Sequence, residues 1–403
     1  MNPASSQTLA ALCSGFFKRA RLHGHFLTVL TVSRALLAGS ARLLAGSSLA
    51  FPLEPAFELA AEAPLEPVPL RWAGGWVLAK VTINGADAGW FMIATGWRSS
   101  CIDPQVAARL KLPVVSNCGL MTGFIGDRGS GENKRFRVDV LQCGAATATD
   151  VHLAPYNLSE MSQESVKMYG EGISGRLGWD LLKTLPFVLD EPTLQLEWQR
   201  EATPAAGATR VPMIEKDGRD FIEITAGKGC KSMAILNSAE PSVFIQRPFL
   251  RNHADPLWSG PVIAHPATFR AYVPDDDELP LGKGMESLPS GRWLTVECAG
   301  LKHLLPASID PSNEPSFGDM EIGYGWLRQT RVVFDGPGKA LWLTAAKSTP
   351  EVELLRKGRP APSSYLLAKA LKSAISFNDP VAVKALAAAG ADVKGTPDQL
   401  PLA

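Results

Sequence analysis

The chain repeats itself, and no other feature limits its fold as tightly. Residues 78–96, "LAKVTINGADAGWFMIATG", lie without gaps against 221–239, "FIEITAGKGCKSMAILNSA". Val81 meets Ile224, Thr82 meets Thr225, Ile93 meets Leu236 and Ala94 meets Asn237, each pair 143 positions apart. A second block, "SGRLGWDLLKTLPFVLDEPTLQLEW" (174–198), matches "DMEIGYGWLRQTRVVFDGPGKALWL" (319–343) at an offset of 145. Gly178 meets Gly323, Leu182 meets Leu327 and Asp190 meets Asp335, and between the blocks "FRVDVLQCG" corresponds to "RWLTVECAG". Matching blocks in the same order mean one structural unit built twice, here over roughly 70–200 and 208–346.

Within each copy, short β-branched runs alternate with Gly and Pro, the pattern of a β-rich domain. "WVLAKVTING" and "GWFMI" read as two strands joined at Asn84-Gly85-Ala86-Asp87. The 403 residues leave room for two or three domains, and the net charge of +0 gives no reason to expect nucleic acid or an acidic membrane as partner. No predominantly apolar uncharged run approaches the ~18 residues that a membrane-spanning helix needs; the uncharged residues 1–17 are broken up by Asn, Ser, Gln and Thr.

The flanks differ from the repeats. The first 53 residues contain no Asp or Glu but carry Lys18, Arg19, Arg21, Arg34 and Arg42. Apolar stretches and Ser48-Leu49-Ala50 follow, so residues 1–50 resemble a secretory leader and imply an exported protein. Arg34 and Arg42 interrupt the apolar core, and an organelle presequence or a misplaced start codon also fits. Residues 51–69, rich in Pro and Glu, read as an extended linker. After "RKGRPAPSS", residues 361–403 turn Ala/Leu-rich with helical periodicity, a break at Asn378-Asp379-Pro380 and a stop at Gly390.

Each copy resembles a retropepsin-like aspartic protease lobe, and the tandem resembles a bilobal, pepsin-like chain. The family signature is an apolar strand ending in Asp-Thr/Ser-Gly, with an apolar-apolar-Gly element supporting the loop. Here Phe91-Met92-Ile93 run into Ala94-Thr95-Gly96, and "VAARLKLP" (106–113) resembles the short helix that follows. "RLG" ending at Gly178 and "EIG" ending at Gly323 resemble the supporting element. The resemblance implies a mainly β chain: two tandem β-barrel lobes with a short α-helical tail. It also implies peptide hydrolysis by two carboxylates sharing a proton across a water.

The sequence departs from the family at both acids. Position 94 is Ala, and position 237 is Asn followed by Ser238-Ala239. An amide orients water but does not take its proton near neutral pH. The expected function is therefore a degenerate, non-catalytic protein that holds a peptide or protein segment between its lobes. Two alternatives stay open: an active peptidase with acids from elsewhere or from a partner chain, and an interaction scaffold built on the tail.

Other candidates read as structural. Asp190 and Asp335 precede Pro or Gly and suit turns, as does Asp87. Asp180 resembles an acid of the family's supporting element, with Gly325 in its place in the second copy. The stretch 119–135, with Gly123, Gly126 and Gly129, resembles the family's flap and equally fits a mobile surface loop. His152, His253, His265 and His303 lack ligand spacing, Asp275–Glu278 fits no calcium loop, and no metal or cofactor is expected. No Gly-x-Ser-x-Gly elbow is present. The six cysteines form no CxxC pair and suit at most one or two bridges. The tail resembles a single ankyrin-type repeat, which must dock on the lobes or meet a partner; a plain helical hairpin fits too.

Overall fold

The computed structural model describes residues 55–393, apart from 63, 74, 117–133, 217, 241, 258–291, 311–317 and 357–360. The expected leader, the flap-like glycines 123, 126 and 129, Cys118, His265, the acidic run 275–278 and residues 394–403 lie outside them.

The first part of the chain forms β1 (Phe57–Leu59), β2 (Val68–Trp72), β3 (Val77–Ile83), β4 (Ala86–Ile93), β5 (Cys101–Ile102), β6 (Val114–Ser116), β7 (Lys134–Cys143), β8 (Ala146–Pro155), β9 (Ile173–Leu177), β10 (Phe187–Asp190) and β11 (Gln195–Trp198). The second part forms β12 (Thr209–Pro212), β13 (Ile214–Lys216), β14 (Arg219–Ala226), β15 (Cys230–Leu236), β16 (Val243–Gln246), β17 (Arg292–Cys298), β18 (Leu301–Asp310), β19 (Met320–Ile322), β20 (Thr330–Asp335) and β21 (Ala340–Ala345). The chain is mainly β, as its residue pattern predicts.

Two barrel-like sheets follow one strand order. The first runs β3-β4-β9-β5-β8-β7 and closes through β3–β7; the second runs β14-β15-β19-β16-β18-β17 and closes through β14–β17. Pairing directions match as well, with β4–β9 and β15–β19 both parallel. The β3–β4 hairpin turns on Asn84 (φ 51°) and Gly85 (φ 77°), two left-handed residues that suit the right-handed strand twist. The turn therefore takes two residues rather than the expected four, since Ala86 already pairs with Ile83.

A bridging ladder joins the two parts in the order β2-β11-β10-β20-β21-β12. Its centre is antiparallel, with Val188 opposite Val333 and Phe187 opposite Phe334. Val188 and Val333 are counterparts in the repeat, so each side offers the same surface to the other, the geometry of a two-fold contact. Phe187 and Phe334 stack at 4.8 Å between ring centroids.

The expected linker over 51–69 needs correction. Phe57–Leu59 pairs with β8, Val68 and Leu70 are buried, and Phe57 packs on Trp198 at 5.0 Å. Burying one such aromatic contributes ~1.5–3 kcal/mol, which with the pairing to β8 offsets the cost of ordering the segment.

The tail forms helices Ser364–Ser376 and Pro380–Ala388, packed across a short connection. Asp379 caps the second by accepting from the amides of Val381 (3.1 Å) and Ala382 (3.0 Å). These helices dock on both parts of the chain. Tyr365 donates to Glu164 (2.6 Å), which lies in the helix Ser159–Tyr169. The fully buried Arg328 pairs with the fully buried Glu351 and reaches Asp379 at 3.2 Å. A methyl group on Gly325 would overlap the Phe377 ring. Where the first copy carries Asp180, the second has glycine, and the tail fills the space.

Candidate functional site

Ala94 and Asn237 follow directly on β4 and β15, and both are buried. The amide of Ala94 donates to the Leu177 carbonyl (3.0 Å), and that of Asn237 donates to Ile322 (2.8 Å). Each turn then closes on itself, Trp97 N–H to the Ala94 carbonyl (3.2 Å) and Glu240 N–H to the Asn237 carbonyl (3.3 Å).

The following residues lock the two turns together. Thr95 Oγ1 donates to the Leu236 carbonyl (2.7 Å), and Ser238 Oγ donates to the Ile93 carbonyl. In return the Ser238 amide donates to Thr95 Oγ1 (3.1 Å), and the Thr95 amide donates to Ser238 Oγ (3.2 Å). Both hydroxyls are buried, so each bond replaces what water would otherwise supply. This reciprocal clasp needs a small hydroxyl at both positions, and the sequence supplies one at each.

Gly178 and Gly323 stand directly behind the turns. A methyl on Gly178 would lie 2.5 Å from the Ser99 carbonyl carbon, and one on Gly323 would overlap the Glu240 carbonyl oxygen. The amides of Trp179 and Tyr324 then donate to the carbonyls of Trp97 (2.6 Å) and Glu240 (2.7 Å). Gly96 is equally constrained, because a methyl there would overlap the Asn237 side chain. Ala239, its counterpart, keeps its amide on Asn237 Oδ1 (3.1 Å).

Asp180 braces the first turn by accepting from the Ser100 amide (3.0 Å) and hydroxyl (2.7 Å). Burial pushes its carboxyl above the usual range against the pull of those bonds. Asp190 accepts from Thr193 N–H (3.4 Å) and Asp335 from Gly338 N–H (2.8 Å), which makes both of them turn residues.

Two charged side chains at the site escape a reading of motif alone. In the first copy, Arg176 occupies the opening position of the supporting element; in the second, Glu321 does. Glu321 is buried and accepts from Asn237 Nδ2 at 3.1 Å. That bond and the Ala239 amide fix both ends of the Asn237 side chain. Arg176 is fully buried, with its guanidinium carbon 3.8 Å from the Trp97 ring centroid and 5.1 Å from that of Tyr156. The signal in the sequence is a charge, at matched positions, where the motif asks for an apolar residue. Cys101, beside Arg176 on β5, has a thiol pushed up by burial, with Arg176 opposing.

The remaining candidates do not gather here. Among the described residues no group of three or more His, Cys, Asp or Glu is placed to hold a metal ion. Cys101, Cys143, Cys230 and Cys298 are buried and unbridged. No described helix is long and apolar enough to cross a membrane.

Residues 79–181 match the family model of the aspartyl proteases. The match takes in the Ala94 turn, its clasp residue Thr95 and the supporting Gly178, and it supports an aspartic-protease-like fold for that segment. An aspartic proteinase from Irpex lacteus is similar in structure, at 11% identity and a TM-score of 0.40, over 71% of this chain and 98% of that one. No curated protein matches the sequence.

Proposed function

We propose that the chain is a two-lobed, retropepsin-like protein, with lobes over 70–200 and 208–346, that lacks aspartic-type catalysis. It holds an extended peptide or protein segment between the lobes. One observation carries this reading: Ala94 and Asn237 stand where the two acids belong, on a clasp that is otherwise complete. Hydrolysis by this architecture needs one carboxylate to take the proton of water while its twin donates to the carbonyl. Alanine does neither, and the Asn237 amide is already committed to Glu321 and Ala239. A cleft of this kind still offers main-chain pairing to an extended segment, which gives affinity without chemistry.

The test is an assay of the full chain against a mixed peptide library from acid to neutral pH, with the double variant Ala94→Asp plus Asn237→Asp alongside. Uncleaved peptide retained by the native chain, and cleavage by the double variant, are the expected results. Acid-dependent cleavage by the native chain would overturn the reading. Glu321 favours that second reading, because it places a carboxylate in hydrogen bond with Asn237; Glu321→Gln would then abolish the activity. The exported location implied by the leader and the ankyrin-like identity of the tail belong to the same proposal. Docking of Phe377 on Gly325 supports the tail as a strap across the lobes.

A further inference from the structure

Arg176 is a buried charge that finds no acceptor among the described residues. Among the described residues none of its Nε, Nη1 and Nη2 atoms has a partner, and the side chain is 0% exposed. A buried guanidinium in this state is costly to maintain, and buried charges are normally paired or bound to an ion. The geometry of the second copy shows where its partner belongs. Glu321 lies beside Ile235 and Arg176 beside Met92, in the same parallel register; Leu236 faces Ile322 just as Ile93 faces Leu177. Side chains two residues apart on a strand share a face. A polar side chain at position 94 would therefore meet Arg176 as Asn237 meets Glu321. Alanine brings no polar atom to that place.

We propose that Arg176 binds a carboxylate brought by the peptide held in the cleft, in the space that position 94 gives up by being alanine. The proposal rests on the cleft-binding reading above and names the chemistry it selects. The guanidinium carbon lies over the rings of Trp97 and Tyr156, both half-buried, and these contacts leave its N–H groups to be satisfied. A carboxylate fits a guanidinium edge with two parallel hydrogen bonds. Glu321, by contrast, gives the second turn an acceptor that a carboxylate would avoid, so the ligand is oriented with its acid toward the first lobe.

The experiment uses the full chain and follows its melting temperature and binding by calorimetry. Its probes are acetate, an amidated peptide with an internal Glu, and an acid-free peptide with a free C-terminus. Acetate should raise the melting temperature of the native chain. It should do so neither in Arg176→Met nor in Ala94→Asp, which supplies its own carboxylate. Ala94→Asp should stabilise the native background and destabilise the Arg176→Met background, a sign reversal that survives if the arginine variant alone folds poorly. Tighter binding of the internal-Glu peptide assigns a side-chain carboxylate, and tighter binding of the free C-terminus assigns a terminal one. Either supports the site if Arg176→Met weakens it at least tenfold.

Peptides that bind with equal affinity whatever their acids would overturn the proposal and leave the cleft reading standing. Acetate binding that depends on Arg176, with no peptide bound, would uphold the carboxylate site and defeat the peptide reading. An acetate response unchanged in Arg176→Met, or none in the native chain, would also overturn it.

Discussion

At the turn after β4, the side chains grouped at the turn and its support are Ala94, Arg176 and Asp180. At the turn after β15 they are Asn237, Glu321 and Gly325. The backbones agree bond for bond: residue 94 on Leu177 and 237 on Ile322, residue 97 on 94 and 240 on 237. The clasp is reciprocal, and both supporting glycines meet carbonyl groups. What differs is the sign of the charge beside each turn and the group that braces it. Holding two turns together thus sets demands of its own, met by the same backbone bonds and hydroxyls whatever charge stands beside each turn.

The bracing is the strongest part of that contrast. In the first copy Asp180 holds Ser100; in the second, Arg328, Glu351 and Asp379 tie the turn's supporting helix to the tail. Arg328→Met would leave Glu351 and Asp379 without their cation. The expected loss is ~3–5 kcal/mol of unfolding free energy, read in urea denaturation. Asp180→Ala leaves the buried Ser100 amide and hydroxyl, both neutral donors, short of an acceptor, with no buried ion left unpaired, and should cost less, ~1–3 kcal/mol. Equal losses would mean that the tail adds nothing to the second brace.

Gly178→Ala and Gly323→Ala test whether the supports are as alike as the backbone implies. Each methyl meets backbone rather than a flexible side chain, and each should cost ~1–3 kcal/mol. The clasp invites a matched pair as well. Thr95→Val and Ser238→Ala each strand buried donors and acceptors on the other turn, at ~1–3 kcal/mol apiece. Because they share the same bonds, the double variant should lose clearly less than the sum. Additive losses in thermal unfolding would show two independent turns rather than one clasp.

Much of this was legible in the sequence, for physical reasons that also explain the rest. The repeat fixes strand order because a matched block must make matched pairs, and Asn84-Gly85 announces its hairpin through residues that tolerate positive φ. Thr95 and Ser238 were in view as turn residues, but their reciprocity depends on contacts across 143 positions. Arg176 and Glu321 lie inside a motif defined by its glycine, and nothing in that motif announces a charge. The strand Phe57–Leu59 was hidden by its prolines and glutamates, since composition reports exposure and not the one aromatic that anchors the segment. Docking of Phe377 on Gly325 leaves no local trace at all.

Glu191 sharpens the comparison through pH. It is fully buried beside Arg328 and Glu351, and among the described residues neither carboxylate oxygen has a hydrogen-bond partner; its counterpart, Gly336, has no side chain to titrate. Burial raises its pKa well above the ordinary glutamate value, Arg328 pulls the other way, and Glu351 adds to the rise. The folded chain therefore holds this proton more tightly than the unfolded chain. Stability from the group is complete below the ordinary glutamate value and is lost as pH climbs through the raised one. Glu191→Gln keeps the shape and removes the titration. Urea midpoints across mildly acidic to neutral pH should fall in the native chain and fall less in the variant, which becomes the more stable of the two at the upper end. A native midpoint that rises over that range would mean that Arg328 holds Glu191 ionised, and the buried cluster would then be a paired network of charges rather than one cation shared by Glu351 and Asp379.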